Sequence, residues 1–501
     1  MVSDEIEVVT KKVEVEANGA ENVELLNDDE DVPLEELDVK ETLVLTEKEP
    51  RRLRSLLLGL PNPTSLFWTI LTLTVNLALV GMSCDLIYRP YLMYESVDLS
   101  FARVGYVSDV SANILVREPN ASQLPIFLSY RYADAPSSSI AVRPFPDTTW
   151  NNKRRITELS NATDYTAALT LTGLRPDTRY EYAVSNNHNG FFRTAPRPGQ
   201  LTKHNDGIFR FISTSCIIPH FPYNPLSHPL EIPGFQKLAR WLPKLQAQFM
   251  LFLGDFIYID VPHRFGSDVP TYRAEYRRVY ASPDWPLVSD SLPWIHAWDD
   301  HEIANDWSGN TTAPFPASFD PYKHYHISVN PEPMRKGDTW FAFAQGQASF
   351  FILDTRKYRS PENNDAMDVT KTMLGANQLA DLLHWLKTAP PRGVKWKIVA
   401  SSVPFTKNWR FGDQDLWGKY LVERQIILEA MWEVGTTQGV GVVVLSGDRH
   451  EFAATKFAPP INGSQWPQTA AVYEFSTSPL SMFYLPFKSY KQEDDEDVGI
   501  K

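Results

Sequence analysis

Five short apolar runs in the second half of this chain each lead into a knot of ionisable residues. Phe209–Ser213 leads to Ser215 and Cys216. Phe249–Leu253 leads to Gly254-Asp255-Phe256-Ile257-Tyr258. Trp294–Trp298 leads to Asp299-Asp300-His301-Glu302, with Asn305 shortly after. Phe350–Leu353 leads to Asp354-Thr355-Arg356, and Val442–Leu445 to Ser446-Gly447-Asp448-Arg449-His450. Apolar runs of this length, alternating with longer amphipathic stretches, are the pattern of an α/β fold. A further run, Lys397–Ser401, fits the same rhythm. Helices are predicted over 234–248, 376–388 and 419–434, the last stopped by Gly435. In open α/β sheets, ligands bind outside the carboxyl ends of the strands. The five run ends are therefore expected to meet on one rim.

That rim would hold a thiol, several carboxylates, a phenol and two imidazoles. Carboxylates crowded together repel one another unless cations neutralise them, so the set asks for metal. Each motif alone has a structural reading as well. Gly254-Asp255 suits a turn, Asp299–Glu302 suits the first turn of a helix, and a buried Cys216 behaves as a small hydrophobe. Their ordered recurrence at run ends favours the metal reading. Rival motifs fail. His301-Glu-Ile-Ala-Asn305 and His450-Glu-Phe-Ala-Ala454 lack the second histidine of a zinc-protease motif. There is no Gly-x-Ser-x-Gly elbow and no Walker-type phosphate loop.

The first half is organised differently. Residues 1–50 carry 17 acids against 4 bases, which accounts for the whole formal charge of −13. They are read as a disordered acidic tail. The remaining 451 residues carry 44 of each sign. A neutral body lacks the broad positive field of a nucleic-acid-binding surface, so none is expected. Ser55 to Cys84 contains no charge. Within it a transmembrane helix is predicted over 65–84, and its Thr residues can bond back to their own backbone. Arg51, Arg52 and Arg54 precede it and Asp85 closes its other end. The positive-inside rule then puts the N-terminus in the cytosol and the body on the lumenal or extracellular side of the secretory pathway. Four Asn-x-Ser/Thr triplets, at Asn120, Asn161, Asn310 and Asn462, all lie beyond the anchor and suit a glycoprotein. The two cysteines, Cys84 and Cys216, are far apart and exclude a disulfide framework.

Residues 98–197 read as short alternating strands, for example Asn113–Arg117, Pro125–Arg131 and Tyr165–Leu171. The stretch Leu174-Arg-Pro-Asp-Thr-Arg-Tyr180-Glu-Tyr182 resembles fibronectin type III and purple-phosphatase N-terminal domains, where a tyrosine corner locks the last strands of a sandwich. Its expected role is packing against the next domain, which is predicted over 208–489 and succeeded by an acidic tail, 490–501.

Residues 209–483 resemble the PhoD-like alkaline phosphatase/phosphodiesterase family, most closely its membrane-anchored fungal branch. The likeness rests on Ser215-Cys216, Gly254–Tyr258, Trp298–Glu302 with Asn305, Leu353–Arg359, Leu374-Gly-x-x-Gln378 and Ser446–His450. It implies a calcineurin-like ββ-sandwich flanked by helices, classed α/β (α+β), behind the fibronectin-III-like sandwich and the single transmembrane helix. It implies hydrolysis of phosphate monoesters or diesters at a di- or trinuclear centre, with Fe3+ and Ca2+. By carry-over Cys216 and Tyr258 hold iron and Asp255 bridges. Asn305 with Asp299 or Asp300 serves the second metal, and Asp448 and His450 complete the set. The donor chemistry agrees, because thiolate and phenolate suit a trivalent ion, and carboxylate and amide oxygens suit calcium. Such metals neutralise phosphate charge and make a bound water nucleophilic. His301 stands where the parent superfamily keeps its proton donor, and Arg356 is expected to grip phosphate or to form a salt bridge. His220 is expected in a surface loop. The resemblance also implies further strands where this sequence ends on Glu493–Asp497 and Lys501. Two alternatives stand beside it: a phospholipase-like hydrolase and a non-catalytic membrane receptor on the same fold.

Overall fold

The computed structural model describes residues 52–63, 65–133, 150–361, 365–411 and 415–491. The tail predicted over 1–50 lies outside the described residues, as does the C-terminal tail beyond 491. Two compact units are present, 1–83 and 84–501, and the boundary falls inside one helix. That helix, Leu66–Met93, continues past the predicted end at Cys84 through Asp85, Arg89 and Pro90. Among the described residues it is the one helix long and apolar enough to cross a membrane. Its hydroxyl side chains turn back onto the helix: Thr74 donates to the Ile70 carbonyl and Ser83 to that of Leu79, each at 2.9 Å.

The second unit begins with seven strands. They are β1 (Phe101–Val107), β2 (Ser111–Arg117), β3 (Ile126–Tyr132), β4 (Asn151–Ile156), β5 (Thr166–Thr172), β6 (Arg179–Val184) and β7 (Asn189–Arg193). They form two antiparallel sheets, ordered β1-β2-β5 and β4-β3-β6-β7. Alternate side chains turn inward, as the strand period requires. Val104, Ile114 and Leu171 from one sheet therefore share a core with Leu128, Tyr182 and Val184 from the other. The corner predicted at Leu174–Tyr182 is present: the buried Tyr180 hydroxyl accepts the Arg175 backbone N–H at 2.8 Å. Buried arginines join this sandwich to the larger domain C-terminal to it. Arg103 donates to the carbonyls of Trp294 (3.3 Å) and Tyr325 (2.5 Å), and Arg117 shares Asp164 with Arg277. The sandwich and the larger domain are therefore one body, because Arg103 and Arg277 find partners across the seam.

The larger domain adds ten strands. They are β8 (Ile212–Ile217), β9 (Met250–Leu253), β10 (Trp294–Ala297), β11 (Phe341–Gln345), β12 (Ala348–Ile352), β13 (Trp396–Ser401), β14 (Gly441–Ser446), β15 (Ala453–Phe457), β16 (Val472–Ser476) and β17 (Pro479–Ser481). One sheet is ordered β10-β9-β8-β17 and is wholly parallel. The other is ordered β11-β12-β13-β14-β16-β15, parallel in its centre with an antiparallel strand at each edge. Leu251, Leu253 and Ile295 of the first face Phe350, Ile352 and Ala400 of the second across a shared core. The opposite faces carry helices: Pro233–Leu245, Val269–Tyr280, Trp285–Ser289 and Phe315–Tyr325 on the four-stranded sheet, Gly375–Lys387 and Leu421–Thr437 on the six-stranded one. Both faces of each sheet are thus covered, which is why β9, β10, β12 and the centre of β14 read as apolar runs.

Two local expectations change. The first strand lies three residues later than the run 209–213, so Ser215 and Cys216 sit within β8. Phe209 and Phe211 instead pack at the margin of the core between the sheets. The last long helix runs through Gly435 to Thr437. A Cβ at Gly435 would come 3.1 Å from Ala470 Cα, so the glycine permits a close approach and does not end the helix.

Candidate metal centre

All the parallel strands deliver their carboxyl ends to one rim. β8 supplies Cys216, the turn after β9 supplies Asp255 and Tyr258, the turn after β10 supplies Asp299, Asp300 and His301, and the turn after β14 supplies Asp448 and His450. These turns are sharp. Cys216 (φ 59°), Asp255 (φ 59°), Asp448 (φ 71°) and His450 (φ 55°) all occupy the left-handed region. That region costs a side-chain-bearing residue of order 1–3 kcal/mol and persists only where the surroundings impose it. Gly254 (φ 98°) has no alternative, since a Cβ there would lie 2.8 Å from the Asp299 nitrogen. Glu302 clamps the turns together. Its buried carboxylate accepts the backbone N–H of Asp255 (3.1 Å), Phe256 (2.6 Å) and Asp299 (2.7 Å).

The side chains meet. Cys216 Sγ lies 3.4 Å from Asp255 Oδ2, and the Tyr258 hydroxyl is 2.9 Å from the same oxygen and 3.1 Å from His450 Nε2. Ligand atoms within 4.8 Å of one another define four overlapping groups: Cys216, Asp255 and His450; Asp255, Asp300 and His301; Asp299, Asp300 and Asp448; and Asp300, Asp306 and Asp415. Asp255 belongs to two of them and Asp300 to three.

Cations fit this arrangement. Asp255 Oδ1, Asp299 Oδ2, Asp300 Oδ1 and Asp448 Oδ2 are buried and accept no hydrogen bond, a costly state for carboxylate oxygens that Arg356, 3.5 Å from Asp300 Oδ1, and Arg449, 3.9 Å from Asp448 Oδ2, relieve only in part. Burial first, and then Asp255, push the Cys216 thiol well above its ordinary range. Burial and the neighbouring acids do the same to Asp255 and Asp448, outweighing the pull of His301 on the one and Arg449 on the other. Burial raises Asp299 to about 6. A cation reverses each of these tendencies. His450 is held down to about 4 by burial and by His301 and Arg449, which leaves a neutral imidazole, the form that binds metal.

His301 is a different case. Burial alone would lower its pKa, but Asp300, Asp255 and the Asp260 hydrogen bond outweigh it and hold the ring well above its usual range. Asp260 Oδ1 sits 2.7 Å from Nδ1, and the ring lies over Tyr258 with centroids 4.2 Å apart. Nδ1 is therefore occupied and Nε2 is the nitrogen left over.

Arg356 corrects the expectation that it grips phosphate. The side chain is fully buried. Nε donates to Asp299 Oδ1, while Nη1 and Nη2 form a fork on Asp415 at 2.6 and 2.7 Å. Nη1 also reaches the Trp307 carbonyl, and Nη2 stands 3.5 Å from Asp300. The guanidinium is spent on protein oxygens, the salt-bridge alternative of the sequence reading. Asn305 is exposed, and its backbone N–H donates to Asp260 Oδ2 at 2.7 Å. His220 is buried rather than on a surface loop, with Nε2 2.9 Å from the Asn224 carbonyl. Sequence reasoning missed Asp260, Asp306 and Asp415 and gave Glu302 no role. Asp260 lies two residues beyond Tyr258, which is a usable signal. Asp415 adjoins no apolar run.

Residues 211–500, more than half of the chain, match the family described as PhoD-like phosphatase. A relative, alkaline phosphatase D of Bacillus subtilis (strain 168), is 24% identical over 326 residues, covering 56% of this chain and 52% of its own length. The chain thus spans about half the length of that relative. Among solved structures, one titled "Structure of PhoD" superposes with a TM-score of 0.59 at 18% identity over 77% of each chain. A purple acid phosphatase from yellow lupin seeds reaches 0.49 at 11% identity, over 78% of this chain and 67% of its own. The family match over the domain that builds this rim, with the fold shared with the solved PhoD, makes the chain a member of the PhoD-like phosphatase family.

Proposed function

We propose that this protein is a metal-dependent hydrolase of phosphate esters. The observation that carries the reading is the meeting of Cys216 Sγ, Asp255, the Tyr258 hydroxyl and His450 beside buried carboxylate oxygens that accept no hydrogen bond. Cys216, Tyr258, Asp255 and His450 would hold one cation, and Asp299, Asp300 and Asp448 a second, with Asp255 between the two sets. Asn305 joins the second set on family resemblance alone. Iron at the sulfur- and phenol-bearing set and calcium at the oxygen set accord with donor chemistry. Cations bound there neutralise phosphate charge and acidify water.

The chain's own residues do the rest. His301, oriented by Asp260 through Nδ1, presents Nε2 to the leaving oxygen as proton donor. Arg356 and the Ser402 hydroxyl (2.7 Å) occupy Asp299 Oδ1, which directs Oδ2 to a cation. Glu302 holds the Asp255 and Asp299 backbones in register. The three-plus-four strand order and the Tyr180 corner support a fibronectin type III reading of the first sandwich. Helix Leu66–Met93 supports a single membrane crossing, with the body in the lumen or outside the cell, as in the membrane-anchored fungal branch. A glycosidase-sensitive mobility shift at Asn120, Asn161, Asn310 or Asn462 tests that topology.

Metal analysis of the purified full chain, paired with hydrolysis of bis(4-nitrophenyl) phosphate before and after chelation, tests the function. Bound metal and chelator-sensitive turnover are expected. Metal-free protein, or turnover indifferent to chelation, overturns the reading.

A further inference from the structure

Beside His450 the surface turns aromatic. The Phe483 ring meets the His450 imidazole edge-on, centroids 4.8 Å apart, yet Phe483 remains 46% exposed. Phe411 (54% exposed) and Phe487 (55%) pair at 6.0 Å. Two backbone strips hold these rings next to the turn that carries Asp448 and His450. Arg449 Nη2 donates to the Phe411 carbonyl (2.6 Å), and Glu451 Oε2 accepts both the Ser489 N–H (2.8 Å) and its hydroxyl (2.7 Å). The strips are joined to each other by Arg410 N–H to the Ser489 carbonyl (3.1 Å) and Lys491 N–H to the Asn408 carbonyl (2.7 Å). Exposed phenyl rings mark a binding surface; Phe483 touches a proposed ligand, and the Phe411–Phe487 pair is tied to the same turn through Arg449 and Glu451.

We propose that this wall receives the organic part of the substrate, and that the preferred substrate is a phosphate ester whose non-leaving alcohol is apolar, an aryl, alkyl or acyl-bearing group rather than a sugar or an unesterified glycerol unit. The inference rests on the hydrolytic reading above and deepens it. A phosphate held beside His450 would bring one substituent within reach of the Phe483 ring. Contact with the face removes apolar surface from water, whereas a hydroxylated substituent loses hydration there without finding partners. The same chemistry is offered by soluble aryl or alkyl diesters and by the acyl-bearing half of a bilayer phospholipid.

The experiment uses the full chain in lipid nanodiscs and a set of 4-nitrophenyl phosphodiesters that share one leaving group. The other alcohol is methyl, butyl, phenyl or 2,3-dihydroxypropyl. kcat/KM is expected to rise roughly five- to tenfold from methyl to butyl and phenyl, and not for dihydroxypropyl. Phe483→Ser is expected to bring the phenyl-to-methyl ratio close to one. Because Phe483 touches His450, Phe487→Ser, further along the strip, is the second variant and is expected to lower the same ratio. Headgroup release from phosphatidylcholine vesicles assigns the bilayer source, and a phenyl preference without such release assigns the soluble one; both support the proposal. Turnover of all four diesters at equal kcat/KM overturns the proposal and leaves the hydrolytic reading standing. No turnover of any diester overturns this proposal; the hydrolytic reading falls with it only if 4-nitrophenyl phosphate, a monoester with the same leaving group, is not turned over either.

Discussion

Asp260 Oδ1 lies 2.7 Å from Nδ1 of His301, so the one imidazole at the centre whose pKa is driven upward is also the one held in a set orientation by a carboxylate of its own. His450, 3.1 Å from the Tyr258 hydroxyl, is driven the other way. The two rings are thus pushed in opposite directions, as the proposed roles of proton donor and metal ligand require.

The first prediction separates those tasks. His301→Ala retains bound metal and slows esters with poor leaving groups by about 100-fold or more, while esters with good leaving groups lose far less. Asp260→Asn behaves in the same way at roughly tenfold. A leaving-group series run on both variants checks this, and equal slowing across the series contradicts a proton-donor role.

Cys216 brings the thiol to the rim. Cys216→Ser is expected to lose the metal of that set, with its sulfur-dependent colour, and more than about 100-fold in turnover. Metal analysis and a visible spectrum of the variant decide the matter. A coloured, fully active Cys216→Ser protein removes Cys216 from the ligand set.

Arg356 is predicted to matter for folding rather than for substrate affinity. Arg356→Ala takes the guanidinium from buried Asp299 and Asp300 and leaves Asp415 with Arg359 alone, a loss of about 3–5 kcal/mol. Arg356→Lys restores charge without the fork and is expected to lose less. Denaturant midpoints fall for both, and KM of the surviving Lys variant stays near that of the parent. A large rise in KM at unchanged stability restores the phosphate-gripping role.

Stripping the metal has a proton signature. Without cations, burial and mutual repulsion raise Cys216, Asp255 and Asp448, so chelation at neutral pH draws protons onto the protein. Metal affinity accordingly strengthens as pH rises and weakens as it falls. Calorimetric rebinding of metal in two buffers of different ionisation enthalpy is expected to report proton release. A heat independent of buffer contradicts it.

Much of this arrangement was legible in the linear chain, and the reasons are local. Parallel strands covered on both faces tend to be apolar, so Met250–Leu253 and Gly441–Ser446 announce themselves, and the polar residues after them stand out as the ends where a ligand can sit; Ile212–Ile217, with Ser213, Thr214 and Ser215 inside it, does not. Tyr180 stands out through the likeness of Leu174–Tyr182 to the corner of fibronectin type III domains, and its hydroxyl accepts the Arg175 N–H. What only the tertiary structure decided are the relationships that depend on which carboxylate lies nearest which cation. Arg356 could have faced substrate, and the fold instead encloses it with Asp299 and Asp415, residues 57 and 59 positions away along the chain. Glu302 looked like one more acid in an acidic motif until its three backbone partners appeared. Hydrophobic periodicity is written in the order of residues because burial acts on each strand separately; the pairing of charges is not, because Coulomb energy depends on distances that exist only after the sheets have brought their ends together.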